Sequence, residues 1–237
     1  MRGMATLYAG TSGFAYPTWK PGFYPPDLPS PRFLDHYSTR LNCVEVNYTF
    51  RNIPSAKTLE TWVKKTPAGF LFCPKAHMRI THILRLRDAG EATLAFLHSL
   101  EPLHRAGKLG PVLFQLPPNL NINLETLTEF LKILPKKHRY AFEFRHPSWF
   151  TDTVYTALKK HKAALCIAES EKLETPEVST ADFAVYRLRK PKYTAKDRRA
   201  IGVKMNVLIA AGKDAYVFFK HEDVPDGALH AEKLLRG

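Results

Sequence analysis

Eight short runs rich in β-branched and aromatic residues recur along this chain, most of them separated by a stretch of helical period, and no other feature restricts the fold as much. The runs cover residues 7–10, 44–47, 70–75, 112–116, 140–144, 164–168, 183–187 and 215–219, and each has the length and composition of a strand. Between the fourth and fifth runs, Leu124, Leu127, Leu131 and Leu134 recur at steps of three and four, and Leu94, Leu97 and Leu100 repeat the pattern within 91–103. Each set makes an apolar stripe suited to packing on a sheet. Thr194 and Asp197 predict a capping-box start, with Asp in place of Glu or Gln, for a helix running toward Ala211 that Gly212 can terminate.

Strand then helix, repeated, implies parallel strands joined by right-handed crossovers. Eight such units in 237 residues close into a single TIM-type (β/α)8 barrel better than they stack as an open sheet. No glycine-rich GxGxxG turn follows any run, which argues against a dinucleotide fold. The interval 169–182 has no helical pattern, so the barrel is expected to be irregular between strands six and seven. With 45% hydrophobic residues, the chain supports one large core, and residues 1–237 are read as one domain.

The N-terminus has no apolar segment followed by a small-residue cleavage site, and no stretch is long and apolar enough for a membrane span. Cys43, Cys73 and Cys166 each sit in an apolar run and are expected to be buried free thiols in a reducing compartment, so the expected location is cytoplasmic. Against 22 acidic residues stand 35 Lys and Arg, a formal net charge of +13. That excess favours polyanions or phosphorylated ligands by long-range attraction, although a basic surface without any ligand has the same composition.

Period two assigns the faces of each strand. In 140–146, Phe142 and Phe144 point to the helix layer while Glu143 and Arg145 point into the barrel; in 44–48, Glu45 and Asn47 point in while Val44 and Val46 point out. Leu71, Cys73 and Lys75 share a face, as do Leu113 with Gln115, Ile167 with Glu169, and Val185 with Arg187. In each case the polar residue lies at the C-terminal end of its strand, where barrel enzymes collect functional groups. The same residues also allow internal ion pairs closing the core, Glu45 with Lys75 and Glu143 with Arg145 or Arg187.

Two loops at this face carry further signals. Residues 10–26 are rich in Gly, Pro and aromatics, and Phe14, Tyr16, Trp19, Phe23 and Tyr24 can either stack on bases or sugars or plug the barrel mouth. Residues 187–199 hold seven basic side chains in thirteen and lead into the helix start at Thr194, the usual phosphate position of a barrel. The inventory for a divalent metal comprises His77, His82, His146 and His221 with Glu45, Glu143, Glu169, Glu222 and Asp223. No HExxH or paired CxxC organises it, and Lys75, Arg145, Arg187 and Lys220 would crowd a cation.

The segments GTSGFAYPTWKPGFYP at 10–25, FLDHYSTRLNCVEVNYTF at 33–50, FCPKAHMRITH at 72–82, PVLFQLPPN at 111–119 and FEFRHPSW at 142–149 resemble the YecE-like family, also called domain of unknown function 72. The resemblance implies a TIM-barrel-like fold and no established biochemical role. It carries Gly10, Ser12, Gly13, Glu45, Lys75, His82, Gln115, Glu143, Arg145, His146 and Trp149 as motif positions. The chain departs from the family in 219–223, Phe-Lys-His-Glu-Asp in place of an asparagine pair. It departs again in 187–190, Arg-Leu-Arg-Lys in place of an Arg, aromatic or small, His, Gly pattern.

The resulting expectation is an enzyme acting on a phosphate-containing ligand, nucleic acid or nucleotide. In it Glu45 and Glu143 serve as acid or base, and Lys75, Arg145 and Arg187 stabilise anionic charge. Ser12, Phe14, Asn47, Gln115, His146, Trp149 and Arg187 are the expected substrate contacts. No cofactor is required, though the metal inventory leaves a divalent ion open. Two alternatives stand beside it: a non-catalytic nucleic-acid-binding barrel, and a sugar or sugar-phosphate isomerase or lyase in which Lys75 forms a Schiff base. The sequence specifies neither substrate nor oligomeric state.

Overall fold

A computed structural model describes residues 4–170, 173–220 and 223–237. All eight expected strands form, each within about one residue of its expected limits: β1 (Leu7–Thr11), β2 (Cys43–Val46), β3 (Leu71–Pro74), β4 (Val112–Gln115), β5 (Tyr140–Glu143), β6 (Ala164–Ala168), β7 (Phe183–Leu188) and β8 (Asp214–Phe219). Helices α1 (Phe33–Arg40), α2 (Ala56–Lys65), α3 (Gly90–Ser99), α4 (Glu101–Arg105), α5 (Leu124–Ile133), α6 (Asp152–Lys160) and α7 (Ala195–Ala210) occupy the crossovers other than that from β6 to β7, and α8 (Asp226–Arg236) follows β8. Every strand pairing is parallel.

The continuous eight-strand ladder expected from the sequence resolves into two sheets. Six strands form a curled sheet in the order β1-β8-β7-β6-β5-β4, and β2 pairs with β3 separately. Isolated bridges span the two seams, Ser12 to Glu45 on one side and Phe72 to Leu109 and Lys75 to Leu113 on the other. Side chains explain the interruption between β1 and β2. The Asn42 amide accepts from Ala9 N at 2.9 Å and donates to Leu7 O at 2.8 Å, taking the place of a neighbouring strand. The Tyr37 hydroxyl accepts from Thr11 N at 2.9 Å and donates to Cys43 O at 3.0 Å. At the other seam Pro74 and Pro111 lack the N–H a regular ladder needs.

Two apolar layers follow from the strand period. Val44, Val46, Phe72, Phe114, Phe142 and Val217 point outward into the large core shared with the helices. Cys43, Leu71, Cys73, Leu113, Ala141, Ala164, Cys166, Val185, Tyr216 and Phe218 form a second cluster between the sheets. All three cysteines are buried free thiols. The capping box of α7 forms, with Thr194 and Asp197 exchanging hydrogen bonds, and Gly212 follows with φ of 73°.

Two expectations are corrected and one open choice is resolved. The helix expected over 91–103 breaks at Leu100 because Pro102 begins a new helix, where its missing N–H is tolerated. Its packed stripe is Thr93, Phe96, Leu97 and Leu100, whereas Leu94 is exposed. In 10–26 the even choice between base stacking and plugging resolves to plugging for most of the loop: Trp19, Phe23 and Tyr24 are buried and pack on one another and on Phe33 and Tyr37. As expected, no helix occupies the described residues of 169–182. Thr180 ties that segment to β6, accepting from Leu165 N and donating to Ala163 O, both at 2.7 Å.

Gly10 sits where β1 approaches β2, and a Cβ there would lie 2.0 Å from Cys43 O and 2.9 Å from the Tyr37 hydroxyl. Gly10→Ala should therefore cost about 3 kcal/mol in denaturant unfolding. Gly202→Ala in the interior of α7 meets its nearest neighbour, Leu234 Cδ1, at an ordinary 3.9 Å and should stabilise by about 0.5–1 kcal/mol. Equal effects of the two substitutions would refute the close approach at the β1–β2 seam.

Candidate functional site

The inner-face residues at the C-terminal strand ends converge on one side chain, Arg187. Its neighbours are set by register: Glu45 lies beside Cys73, Gln115 beside Glu143, and Arg187 between Ala168 and Phe218. Arg187 Nη2 donates to Glu45 Oε1 at 2.6 Å, Nε lies 2.6 Å from Glu45 Oε2, and Nη1 donates to Glu143 Oε2. Glu143 Oε1 accepts from Gln115 Nε2 at 2.8 Å and Arg145 Nε at 2.9 Å, with Arg189 Nη2 at 3.8 Å. Glu45, Glu143 and Arg187 are each no more than 2% exposed.

Charges so deeply buried are tolerable only when paired. Burial pushes the Glu143 carboxyl up, but Arg187, Arg189 and Arg145 outweigh it and hold the group ionised, well below the usual carboxylate range. Burial likewise works against the Arg187 guanidinium, and Glu143 and Glu45 overcome it. This arrangement gives no support to the expected acid or base role of Glu45 and Glu143. Both oxygens of each carboxylate are held by cations or by Gln115, and neither group has solvent access for proton exchange. It corrects one expected pairing, since Glu45 binds Arg187 and not Lys75, whereas the pairs of Glu143 with Arg145 and Arg187 do form.

Two carboxylates thus face four cations, because Lys75 and Arg189 approach the same cluster. Lys75 is half-buried, with Nζ 3.8 Å from the centre of the Phe50 ring, and no carboxylate among the described residues lies within ion-pair distance of it. Burial and then Arg187 lower its pKa to about 8, against weaker support from Glu45 and Glu143. His82 packs edge-on against the same Phe50 ring at 4.9 Å. Burial, Lys75, Arg145 and Arg85 lower its pKa, which favours the neutral imidazole. Arg189 and Phe50 were missed as site residues. The first was available from the sequence, since Val185, Arg187 and Arg189 share a face.

The remaining expected contacts divide. Gln115 and Ser12 belong to the site, and Ser12 Oγ is buried without a hydrogen-bond partner among the described residues, as is Arg189 Nε. Asn47, half-buried two residues after Glu45, occupies the N-cap position of the short helical turn Tyr48–Phe50 without a side-chain capping hydrogen bond. Phe14 instead packs toward Tyr37 and Trp62. Trp149 is not a contact surface: it is buried, stacks on Phe144 at 4.6 Å and donates its indole N–H to Leu120 O at 2.7 Å. His146 turns to Ser148, its Nδ1 2.8 Å from the hydroxyl, and so positions the loop after β5.

Glu169 is on the other face from the one expected. Cys166 lies in the inner cluster and Ile167 packs outward, so Glu169 reaches the β7–α7 loop, accepting from Tyr193 Oη, Arg189 N and Lys190 N. The start of α7 is also already neutralised, because Asp197 accepts from Thr194 N at 2.9 Å and pairs with Lys190. Among the described residues no group of three or more His, Cys, Asp or Glu side chains is disposed to hold a metal; His221 and Glu222 lie outside the described residues. A groove of about 660 Å³ lies on the outer side of β6 and β7 against α7, and a second of about 1060 Å³, lined in part by Glu169, Arg189 and Lys190, reaches Arg189 of the charged cluster.

Parallel strands covered by helices, with polar side chains gathered at the strands' C-terminal ends, define an α/β protein of the TIM-barrel-like kind. A family model described as "Protein of unknown function DUF72" matches residues 8–237, and the chain belongs to that family. It is 31% identical over 146 residues to the UPF0759 protein YecE of Escherichia coli (strain K12), covering 61% of this chain and 50% of the relative. It is 34% identical over 158 residues to the UPF0759 protein YunF of Bacillus subtilis (strain 168), covering 63% and 54%. The matched region therefore spans about half the length of these curated relatives. A DUF72 family protein from Thermotoga maritima MSB8 superposes with a TM-score of 0.85 at 26% identity, covering 98% of each chain. An AP endonuclease, family 2, from Brucella melitensis superposes with a TM-score of 0.51 at 10% identity over 92% of this chain and 93% of its own, a likeness of fold alone. No helix among the described residues is long and apolar enough to cross a membrane.

The Glu143 carboxylate makes stability depend on acid in a defined direction. Its folded pKa lies below the ordinary carboxyl value of 4.5, so its contribution is complete above that value and is lost as pH falls below it. Glu143→Gln should cost about 3–5 kcal/mol near neutrality. In denaturation series from about pH 6 down to about pH 3, the gap between wild type and variant should narrow. A gap constant across that range would mean that folding leaves the acidity of the Glu143 carboxyl unchanged, against the ion pairs described here.

Proposed function

We propose that the eight strands act as one closed barrel, and that the chain is an enzyme binding a phosphate-containing ligand, nucleic acid or nucleotide, at their C-terminal ends. The observation that carries this reading is the charge balance of the cluster, four cations against two carboxylates whose oxygens are already engaged. Glu45 and Glu143 act here as positioning groups that fix Arg187 rather than as acid or base. The surplus charge is carried by Lys75, Arg145 and Arg189. Arg145 is about one-third exposed, and the described residues offer its two terminal nitrogens no hydrogen-bond acceptor. The unpartnered Ser12 Oγ and Arg189 Nε are donors available to phosphate oxygens. The free buried thiols support action in the cytosol.

The alternative of a non-catalytic nucleic-acid binder draws on the loop after β7 and the start of α7, where Lys192, Lys196 and Arg199 are exposed. Salt dependence separates the two readings. Binding should be measured for single-stranded, duplex and abasic oligonucleotides and for small phosphate esters, with product analysis in the same samples. An enzyme using the inner cluster should lose at least about tenfold in affinity with Arg145→Ala or Arg189→Ala, whichever phosphate ligand is used. A surface binder should keep its affinity in those variants, and its salt slope should fall by about one for each exposed loop lysine removed. Affinity no greater than that of an unrelated basic protein would reject both.

A further inference from the structure

Among the described residues two lysine amines are drawn out of water, and they are used differently. Lys108 is buried, but its Nζ donates to Val63 O at 2.9 Å, Thr66 O at 2.5 Å and Thr66 Oγ1 at 2.7 Å, which uses all three of its protons. Lys75 has no such set of acceptors. Its backbone is pinned on both sides, the N–H donating to Val46 O at 3.1 Å and the carbonyl accepting from Thr49 Oγ1 at 2.7 Å. The stem is thereby aimed from the end of β3 into the charged cluster, and the amine lies on the face of Phe50. The carboxylates that would ordinarily pair with a lysine here, Glu45 from β2 and Glu143 from β5, are both engaged by Arg187 of β7. Arg145 and Arg189 add further positive charge, and His82, neutral and in contact with Phe50, stands on the remaining side.

We infer that Lys75 is a nucleophilic amine that forms a Schiff base with a phosphorylated aldehyde or ketone, the phosphate being held by Arg145 and Arg189. The inference rests on the phosphate-binding reading above and names its substrate class. A pKa of about 8 leaves about a tenth of the amine as free base at pH 7, about three hundred times the fraction for an ordinary lysine at 10.5. Desolvation beside other cations is a recognised way to activate a lysine for this chemistry.

The free amine attacks the carbonyl carbon, forming the C–N bond as the C=O π pair moves to oxygen. That oxygen takes up one proton and the nitrogen gives one up, leaving a neutral carbinolamine. A second proton delivered to the hydroxyl lets it leave as water, and the nitrogen lone pair forms the iminium. His82 is the nearby neutral group able to relay those protons. The iminium then acts as an electron sink for breaking a bond at the adjacent carbon. A free sugar phosphate in its open-chain form and an abasic site in nucleic acid both present this chemistry.

The test is borohydride trapping of the full chain with glyceraldehyde 3-phosphate, with an abasic oligonucleotide and with unphosphorylated glyceraldehyde, the modified peptide being located by mass spectrometry. Binding of a non-carbonyl phosphate ester, glycerol 3-phosphate, is measured in parallel. The expected result is a reduced adduct on Lys75 at least tenfold above that on Lys108 or any surface lysine, with a labelling midpoint near pH 8. The phosphorylated reagents should label faster than glyceraldehyde, and whichever of the two labels faster identifies the source of the substrate. Lys75→Arg keeps the positive charge but has no amine able to form the iminium, and should lose the adduct. Glycerol 3-phosphate binding without an adduct on Lys75 would overturn the Schiff base and leave the phosphate site standing. Equal labelling by phosphorylated and unphosphorylated aldehydes, without glycerol 3-phosphate binding, would overturn the phosphorylated substrate class. Labelling spread over surface lysines would overturn the assignment of Lys75.

Discussion

A single guanidinium holds two carboxylates at the head of this protein, and the rest of the site is arranged by that fact. Arg187 comes from the six-stranded sheet and Glu45 from the two-stranded one, so their bidentate contact ties together strands that backbone ladders leave separate at the β1–β2 and β3–β4 seams. A guanidinium can do this because its fork offers parallel donors to one carboxylate and a further donor to another. With both acids consumed, the other cations nearby have no internal counterion to satisfy them fully. A structural ion pair at the centre therefore generates an unneutralised rim, and the rim is where ligand chemistry becomes available.

The same logic separates support from contact among the polar residues. Gln115 and Arg187 complete the coordination of Glu143, Tyr37 and Asn42 stand in for backbone at a seam, and Trp149 closes the loop after β5 from beneath. None of these needs to touch a ligand to matter for it. The groups left with unspent donors are Lys75, Arg145, Arg189 and Ser12, which stand at the ends of β3, β5, β7 and β1 respectively. That distribution explains why a ring of strands, rather than one motif, is required to build the site.

Much of the scaffold was legible in the sequence because its signal is local. All eight strands, the capping box at Thr194 and the absence of a helix over the described part of 169–182 follow from periods and caps read within a few residues. The inward direction of Glu45, Glu143 and Arg187 was equally plain, since each alternates with apolar neighbours. Glu169 was misassigned because β6 is apolar on both faces, so alternation carries no sign of which side is inner. The exchange of partners at Glu45 was not legible at all: Arg187 is 142 positions away, and its preference over Lys75 depends on guanidinium geometry that spacing does not encode. The depressed basicity of Lys75 likewise depends on which acids remain free, a property of the assembled cluster.

Asp197 gives the basic loop after β7 a distinct physical character. By accepting from Thr194 N and pairing with Lys190, while its own N–H donates to Thr194 Oγ1, it fills the cradle in which a barrel of this kind commonly seats a phosphate group. Lys192 projects into solvent from the loop, and Lys196 and Arg199, in the first turns of α7, are exposed along the groove between α7 and the outer side of β6 and β7. Charges in that setting act at a distance and are screened within about 10 Å at 0.1 M salt. The loop is thus an antenna, governing how often an anion arrives, while the inner arginines govern how long it stays.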